Sequence, residues 1–187
     1  MSALLLSQLM RFSSGVMPWQ TRPFSIKVKR IPWSIATDGY TIVAFKLPGA
    51  SPALSSTPKD ALAVLLSAST KGCVEIPTAD LKAWAGSVPA RAIAHGDVEA
   101  VDQGVLCGVA VDRRKLAYLL ATVPFPSVSV WAHTLDMVGF EASGGIWRAF
   151  LAGLSGGIGD DENVFAIPKP PGAPLSSEDM FEFVDKM

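Results

Sequence analysis

The chain has 187 residues, of which 49% are hydrophobic and 18% charged, with 16 cations against 17 anions for a net charge of -1. That composition can build one or two cored domains; it excludes a disordered charged tail and a uniformly basic nucleic-acid coat, while allowing a local basic surface. Two cysteines are too few for a disulfide framework and predict a reducing, cytoplasmic setting, and despite a mean hydropathy of +0.34 no apolar run approaches the ~18–20 residues of a membrane span.

Met1 to Phe12 is apolar, and Leu5, Leu6, Leu9, Met10 and Phe12 repeat at near-helical spacing, which predicts a short amphipathic helix ended by Gly15 and Pro18. A secretory signal needs positive charge ahead of its apolar stretch, whereas Arg11 comes after it. Phe24, Ile26 and Val28 then alternate with Ser25, Lys27 and Lys29, the period of a half-buried strand. Extended runs follow at 34–37 and 41–47, and the Asp38-Gly39 pair between them is a hairpin signal. Residues 48–58 are rich in Pro, Ser and Gly and read as a loop. Thr57 is placed to cap the next helix, with Pro58 in its first position, Asp60 in its first turn, and Ala61, Leu62, Leu65 and Leu66 on one face.

A second block opens at Gly72. Residues 73–76 predict a short strand, and Pro77-Thr78 opens a brief helix with Leu81, Trp84 and Ala85 on its apolar side and Gly86 as its stop. Residues 87–104 give only strand and turn material. Residues 105–111 predict one apolar strand, and Asp112 caps a helix over 113–123 that carries Leu116, Leu119 and Leu120. Pro124 and Pro126 end it. Strands are expected at 127–132, 137–142 and 146–151, the last two joined by Ser143-Gly144-Gly145. Glycine, acid and proline dominate from Gly153 onward, leaving 176–186 as an isolated amphipathic stretch. The recurring unit is strand, short helix, then antiparallel strands. It predicts an α+β fold with short helices on one face of antiparallel sheets. The division expected is a first domain over 1–69, a second over 70–156 and a Gly/Pro-rich tail over 157–187.

Catalytic signals are weak. Gly153-Leu154-Ser155-Gly156-Gly157 matches the five-residue nucleophile elbow, which would make Ser155 the nucleophile of a small hydrolase. The elbow needs a helix after its serine, and Gly156-Gly157-Ile158-Gly159-Asp160 is poor helix material. Both His95 and His133 also precede Ser155, where that fold places its histidine after the nucleophile. Cys73, His95, Cys107 and His133 are scattered, with no pair at metal-ligand spacing. Asp160-Asp161-Glu162 lacks the alternating oxygen ligands of a calcium loop, and the glycines at 156–159 lack the lysine of a phosphate loop. No catalytic residue, metal or cofactor is expected, and the chain reads as a non-enzyme.

The cations carry more information. Arg113, Arg114 and Lys115 fill the first turn of a helix, where the dipole disfavours each by ~0.3–1 kcal/mol. Asp112 offsets part of this, and a polyanion across the helix face would offset the rest. Lys71, Lys82 and Arg91 lie in or near the other short helix and extend the basic face; Arg22, Lys27, Lys29 and Arg30 form a second patch.

With these elements in place, the chain resembles the bacterial DNA sliding clamp, the β subunit of the replicative polymerase. Ile35-Ala-Thr-Asp-Gly-Tyr-Thr-Ile42 is similar to the clamp's Ala-Thr-Asp-Gly turn and the strand after it. Val74-Glu-Ile-Pro-Thr-Ala-Asp-Leu81 and Val109-Ala-Val-Asp-Arg-Arg-Lys-Leu116 resemble the strand-to-helix transitions of clamp domains. Trp147-Arg-Ala-Phe-Leu-Ala-Gly-Leu154 resembles the last clamp strand, with Ala152-Gly153 in place of its methionine-proline ending. Clamp subunits carry three domains, whereas this chain has room for at most two, so the resemblance is to a reduced or divergent, phage-like member.

The resemblance implies a non-catalytic scaffold for DNA replication and repair. It implies sequence-independent contact with double-stranded DNA through Lys82, Arg113, Arg114 and Lys115. It also implies an apolar pocket for clamp-binding peptides of polymerase or repair proteins, at Thr37, Gly39, Tyr40, Ile42, Phe150 and Ala152. Clamp rings contain six domains, so a two-domain chain would close a ring as a homo-oligomer, most simply a trimer. The alternative is a clamp-fold adaptor or inhibitor that binds protein partners without DNA.

Overall fold

The computed structural model describes residues 2–87, 103–154 and 164–166. The elements run α1 (Ser2–Met10), β1 (Phe24–Val28), β2 (Ile31–Thr37), β3 (Thr41–Phe45), β4 (Ser51–Pro52), α2 (Lys59–Leu66), β5 (Val74–Pro77) and α3 (Thr78–Gly86). They continue with β6 (Gln103–Leu106), β7 (Val109–Asp112), α4 (Arg113–Leu120), β8 (Ser127–Thr134), β9 (Met137–Ala142) and β10 (Trp147–Ala152). Eight strands form one sheet in the order β4-β1-β2-β3-β10-β9-β8-β5, while β6 and β7 pair as a separate hairpin. All pairings between these strands are antiparallel except that of the two-residue β4, which runs parallel to β1; outside them, Val105 makes an isolated parallel bridge to Val164.

The recurring unit is visible in this order. α1 leads into β1-β2-β3, and α4 leads into β8-β9-β10; the two sets of three strands occupy the sheet in mirrored order and meet where β3 pairs with β10. Val43↔Ala149 sits at the middle of that ladder, between Phe45↔Trp147 and Thr41↔Leu151. The expected boundary near 69/70 falls between α2 and β5, and the strands on its two sides join at β3–β10 into one sheet.

The central strands explain why both sheet faces are covered. Ile35 and Ala36 are adjacent and both buried, as are Val43 and Ala44, so successive side chains on opposite faces all need apolar partners. On one face, Leu9 and Phe12 from the α1 end, Leu81 of α3 and Leu116 and Leu119 of α4 pack against Ala36, Val43, Phe45 and Trp147. On the other, Leu62 and Leu66 of α2 pack against Phe24, Ile26, Trp33 and Ile35. The α+β architecture is as expected, with α2 set on the face opposite the other three helices. Arg148 of β10 pins α2 there. Its Nη1 donates to the carbonyls of Leu66 (2.8 Å) and Ala68 (3.0 Å) at the helix's C-terminal end, where a cation suits the dipole, and its Nε donates to Glu141 (2.7 Å).

Several local expectations shift. Residues 105–111 are two strands, because Cys107 (φ 52°) and Gly108 (φ 79°) both adopt left-handed backbone and form a two-residue turn between Leu106 and Val109. A half-apolar Cys-Gly pair inside an apolar run hides that turn from a pattern search. The 48–58 loop contains β4, held beside β1 by Phe24↔Ser51 and Ser25↔Pro52. α2 starts at Lys59 with Pro58 in the capping position, and the Thr57 hydroxyl makes no capping bond. α4 ends at Leu120, earlier than expected, and β8 extends to Thr134.

Candidate nucleic-acid interface

Asp112 caps α4 as its position predicts: Oδ1 accepts from the backbone N–H of Arg114 (2.9 Å) and of Lys115 (3.4 Å). The three cations that follow then go separate ways. Arg114 is exposed. Lys115 is half-buried, its Nζ 3.4 Å from the centroid of the Tyr40 ring. Arg113 is only 3% exposed. Its Nη2 donates to the Trp84 carbonyl at the end of α3 and to Ser87 Oγ (2.6 Å), and its guanidinium lies 5.1 Å from the Trp84 ring centroid. Gly104 makes room for it, since a Cβ there would lie 2.7 Å from both Arg113 Cδ and Trp84 Cζ2. The expectation that Arg113 faces DNA does not fit this burial: its charge ties α4 to α3, and a phosphate has no access to it.

Lys82 on α3 is exposed, with its Nζ making a long bond of 3.4 Å to the Val123 carbonyl. A cation the sequence reading passed over joins this side. Arg11, just after α1, lies with its guanidinium 4.9 Å from the centroid of Tyr118 on α4, and Tyr118 Oη donates to the Arg11 carbonyl (3.0 Å). Phe12 meets the same ring edge-on at 5.2 Å. Lys82, Arg114 and Lys115 thus belong to helices that share one sheet face with α1, and Arg11 follows directly on α1.

The six pocket candidates do come together. Thr37 and Ile42 are partners across the β2–β3 hairpin, Ile42 and Phe150 are partners across β3–β10, and the Tyr40 carbonyl accepts from Ala152 N–H (2.8 Å). The hairpin turn is rigid: Asp38 Oδ1 accepts from Tyr40 N–H (2.9 Å) and Thr41 N–H (2.7 Å), and Thr37 Oγ1 from Gly39 N–H (3.1 Å). Their exposure differs. Thr37 and Phe150 are buried, and Phe150 packs edge-on to Trp131 and His133. Ile42 and Ala152 are half-buried, and Gly39 and Tyr40 are exposed. Half-buried Met137 and His133 adjoin them, which sequence reasoning could not find because strand register decides it. The two candidate sites also meet, through Lys115 resting on Tyr40. A separate cleft of about 420 Å³ lies between Lys27 of β1, Pro52 of β4, and Lys59 and Asp60 of α2, and contains none of the candidates.

Comparison with solved structures fits this arrangement. The DNA polymerase sliding clamp of Bacillus subtilis matches with a TM-score of 0.57 at 11% identity, over 85% of this chain and 64% of that one. The DNA polymerase III β chain of Streptococcus pneumoniae matches with 0.56 at 10% identity over the same shares. The DNA polymerase III β subunit of Thermotoga maritima matches with 0.51 at 10% identity, over 84% of this chain and 64% of that one. The fold is that of a bacterial sliding clamp. At this identity the likeness is one of fold, and the chain spans a little under two thirds of those clamps. No family model matches the chain, and no curated protein does so significantly.

Within this clamp fold the resembling stretches take definite places. Residues 35–42 form the β2–β3 hairpin, 74–81 the β5–α3 transition and 109–116 the β7–α4 transition. Among the described residues no group of three His, Cys, Asp or Glu is placed to hold a metal ion, and no helix is long and apolar enough to cross a membrane. Burial pushes the Cys107 thiol up from its ordinary pKa, which disfavours the nucleophilic thiolate. Ser155, His95 and Arg91 lie outside the described residues.

Proposed function

We propose that the chain is a non-catalytic, clamp-like scaffold of the cytoplasm that contacts duplex DNA without regard to sequence and tethers protein partners. The main support is the set of exposed or partly exposed cations Lys82, Arg114 and Lys115 on, and Arg11 directly after, helices that cover one face of a sliding-clamp sheet. Phosphate contacts of this kind release counterions, each contributing about 0.9 to the slope of log affinity against log salt. Replacing Lys82 and Arg114 together with alanine should therefore flatten that slope by about two units for duplexes of any sequence. Folding stability should stay within about 0.5 kcal/mol, since both side chains are exposed. Duplex binding identical to wild type would reject the helical face as the DNA contact.

The partner groove centres on Ile42, with Phe150 and Thr37 as its floor and Met137, His133 and Ala152 beside it. An apolar peptide with a leucine or aromatic anchor fits a surface of this kind. Ile42→Asp should weaken such a peptide more than tenfold by calorimetry while leaving the circular dichroism spectrum intact. An unfolded variant would instead make Ile42 a core residue. The edge strands β4 and β5 at the two ends of the sheet suit closure between copies, so a homo-oligomer is expected by light scattering, and a monomer at tens of micromolar would reject the ring. One observation favours the adaptor reading: burial of Arg113 and the seat of Lys115 on Tyr40 leave fewer free cations on a chain of net charge -1.

A further inference from the structure

We infer that the helical face also holds a single-stranded nucleic-acid site built on Tyr40 and Tyr118; this rests on reading that face as DNA-contacting and adds which form of the polymer the tyrosines serve. The chain has two tyrosines, and both are exposed, Tyr40 by 60% and Tyr118 by 41%. Each ring carries a cation, Lys115 on Tyr40 and Arg11 on Tyr118. Lys115 and Tyr118 are three residues apart on α4, and Arg114 and Tyr118 four apart, so these side chains neighbour one another on the helix surface. Rings and cations from three separate segments of the chain therefore meet around α4.

The Tyr40 backbone and the Tyr118 ring are held in place before any ligand arrives. The Tyr40 backbone is fixed by Asp38 and by Ala152, and Tyr118 by its hydroxyl bond to Arg11 and by the edge of Phe12. The nearby carboxylates of Asp38 and Asp112 are already engaged by backbone N–H groups. A duplex keeps its base faces stacked inside and offers an exposed ring little. An unstacked strand offers base faces to the rings and phosphates to the intervening cations, and each stacked base is worth a large factor in affinity.

The test uses the full chain, fluorescein-labelled oligothymidylate and a labelled duplex of the same length, read by anisotropy at matched salt. Wild type should bind the single strand. Tyr40→Leu and Tyr118→Leu, which keep an apolar side chain and remove the ring, should each weaken it roughly five- to hundredfold. Both should cost the strand at least about fivefold more than the duplex, and Tyr40→Trp, which keeps an aromatic ring, should bind the strand like wild type. Lys82→Ala with Arg114→Ala should lower duplex affinity whatever the tyrosines do, so the duplex reading fails or stands in its own arm. Absence of strand binding by wild type, unchanged strand binding by folded leucine variants, or equal loss of strand and duplex would each overturn the stacking site. A leucine variant that unfolds leaves Tyr40→Trp and Tyr118→Phe to decide: the stacking site requires both to bind the strand like wild type.

Discussion

Replacing Arg113 with methionine should destabilise the protein by about 2–4 kcal/mol, even though it removes a positive charge from a helix's first turn. The dipole term that disfavours a cation there is small, at most ~1 kcal/mol, and Asp112 already offsets part of it. Against it stands a buried guanidinium that donates to the Trp84 carbonyl and Ser87 Oγ and lies against the Trp84 ring. Trp84 in turn meets Phe165 edge-on at 5.3 Å, so the loss would spread into the contact between α3 and the β6 region. Methionine keeps most of the stem's bulk beside Gly104 and removes the donors. Denaturant unfolding should place Arg113→Met well below wild type and Arg114→Ala within about 0.5 kcal/mol of it. Equal midpoints for the two variants would show that Arg113 is a surface cation after all. Replacing all of 113–115 together would confound lost DNA contact with lost stability, which is why the binding test leaves Arg113 in place.

What could be read from the sequence was local. Asp38-Gly39 marks its hairpin because the aspartate's own carboxylate closes the turn, and Asp112 marks a helix start because its carboxylate meets the first free N–H groups. Ser143-Gly144-Gly145 marks a turn because all three residues take positive φ. What could not be read depends on groups distant in the chain. Arg113 looks the same in sequence whether its guanidinium reaches solvent or folds back onto Trp84. The partnership of β3 with β10 is a choice among buried strands of similar composition, and it alone brings Ile42 to Phe150 and Tyr40 to Ala152. The meeting of Lys115 with Tyr40, and of Arg11 with Tyr118, follows from how the helices pack on that sheet. No periodicity encodes either pair.

A single methyl group added at Gly139 should cause a large loss of stability. Gly139 and Trp131 are cross-strand partners on β9 and β8, and the indole of Trp131 lies directly over the glycine. A Cβ at 139 would fall 2.4 Å from both Cε2 and Cζ2 of that ring, a distance no van der Waals contact tolerates, so the indole must move. It has little freedom to do so. Trp131 is buried against Phe150, and its Nε1 has no hydrogen-bond partner among the described residues to guide a new position. Gly139→Ala should therefore cost about 3 kcal/mol, the upper end for overpacking, and Gly139→Val more. Trp131→Leu should also destabilise by removing buried ring area, by about 2–4 kcal/mol. Combining it with Gly139→Ala should cost at least ~1 kcal/mol less than the sum, because the clash disappears with the ring. Additive midpoints in urea unfolding would mean that the indole slides aside freely and that glycine is not needed beneath it. The row Ile42–Phe150–Gly139–Trp131 floors the proposed partner groove, so a displaced indole should carry Phe150 with it. Gly139→Ala should then weaken peptide binding beside Ile42 at temperatures where the variant is still folded, and Trp131→Leu in the same chain should recover part of that loss.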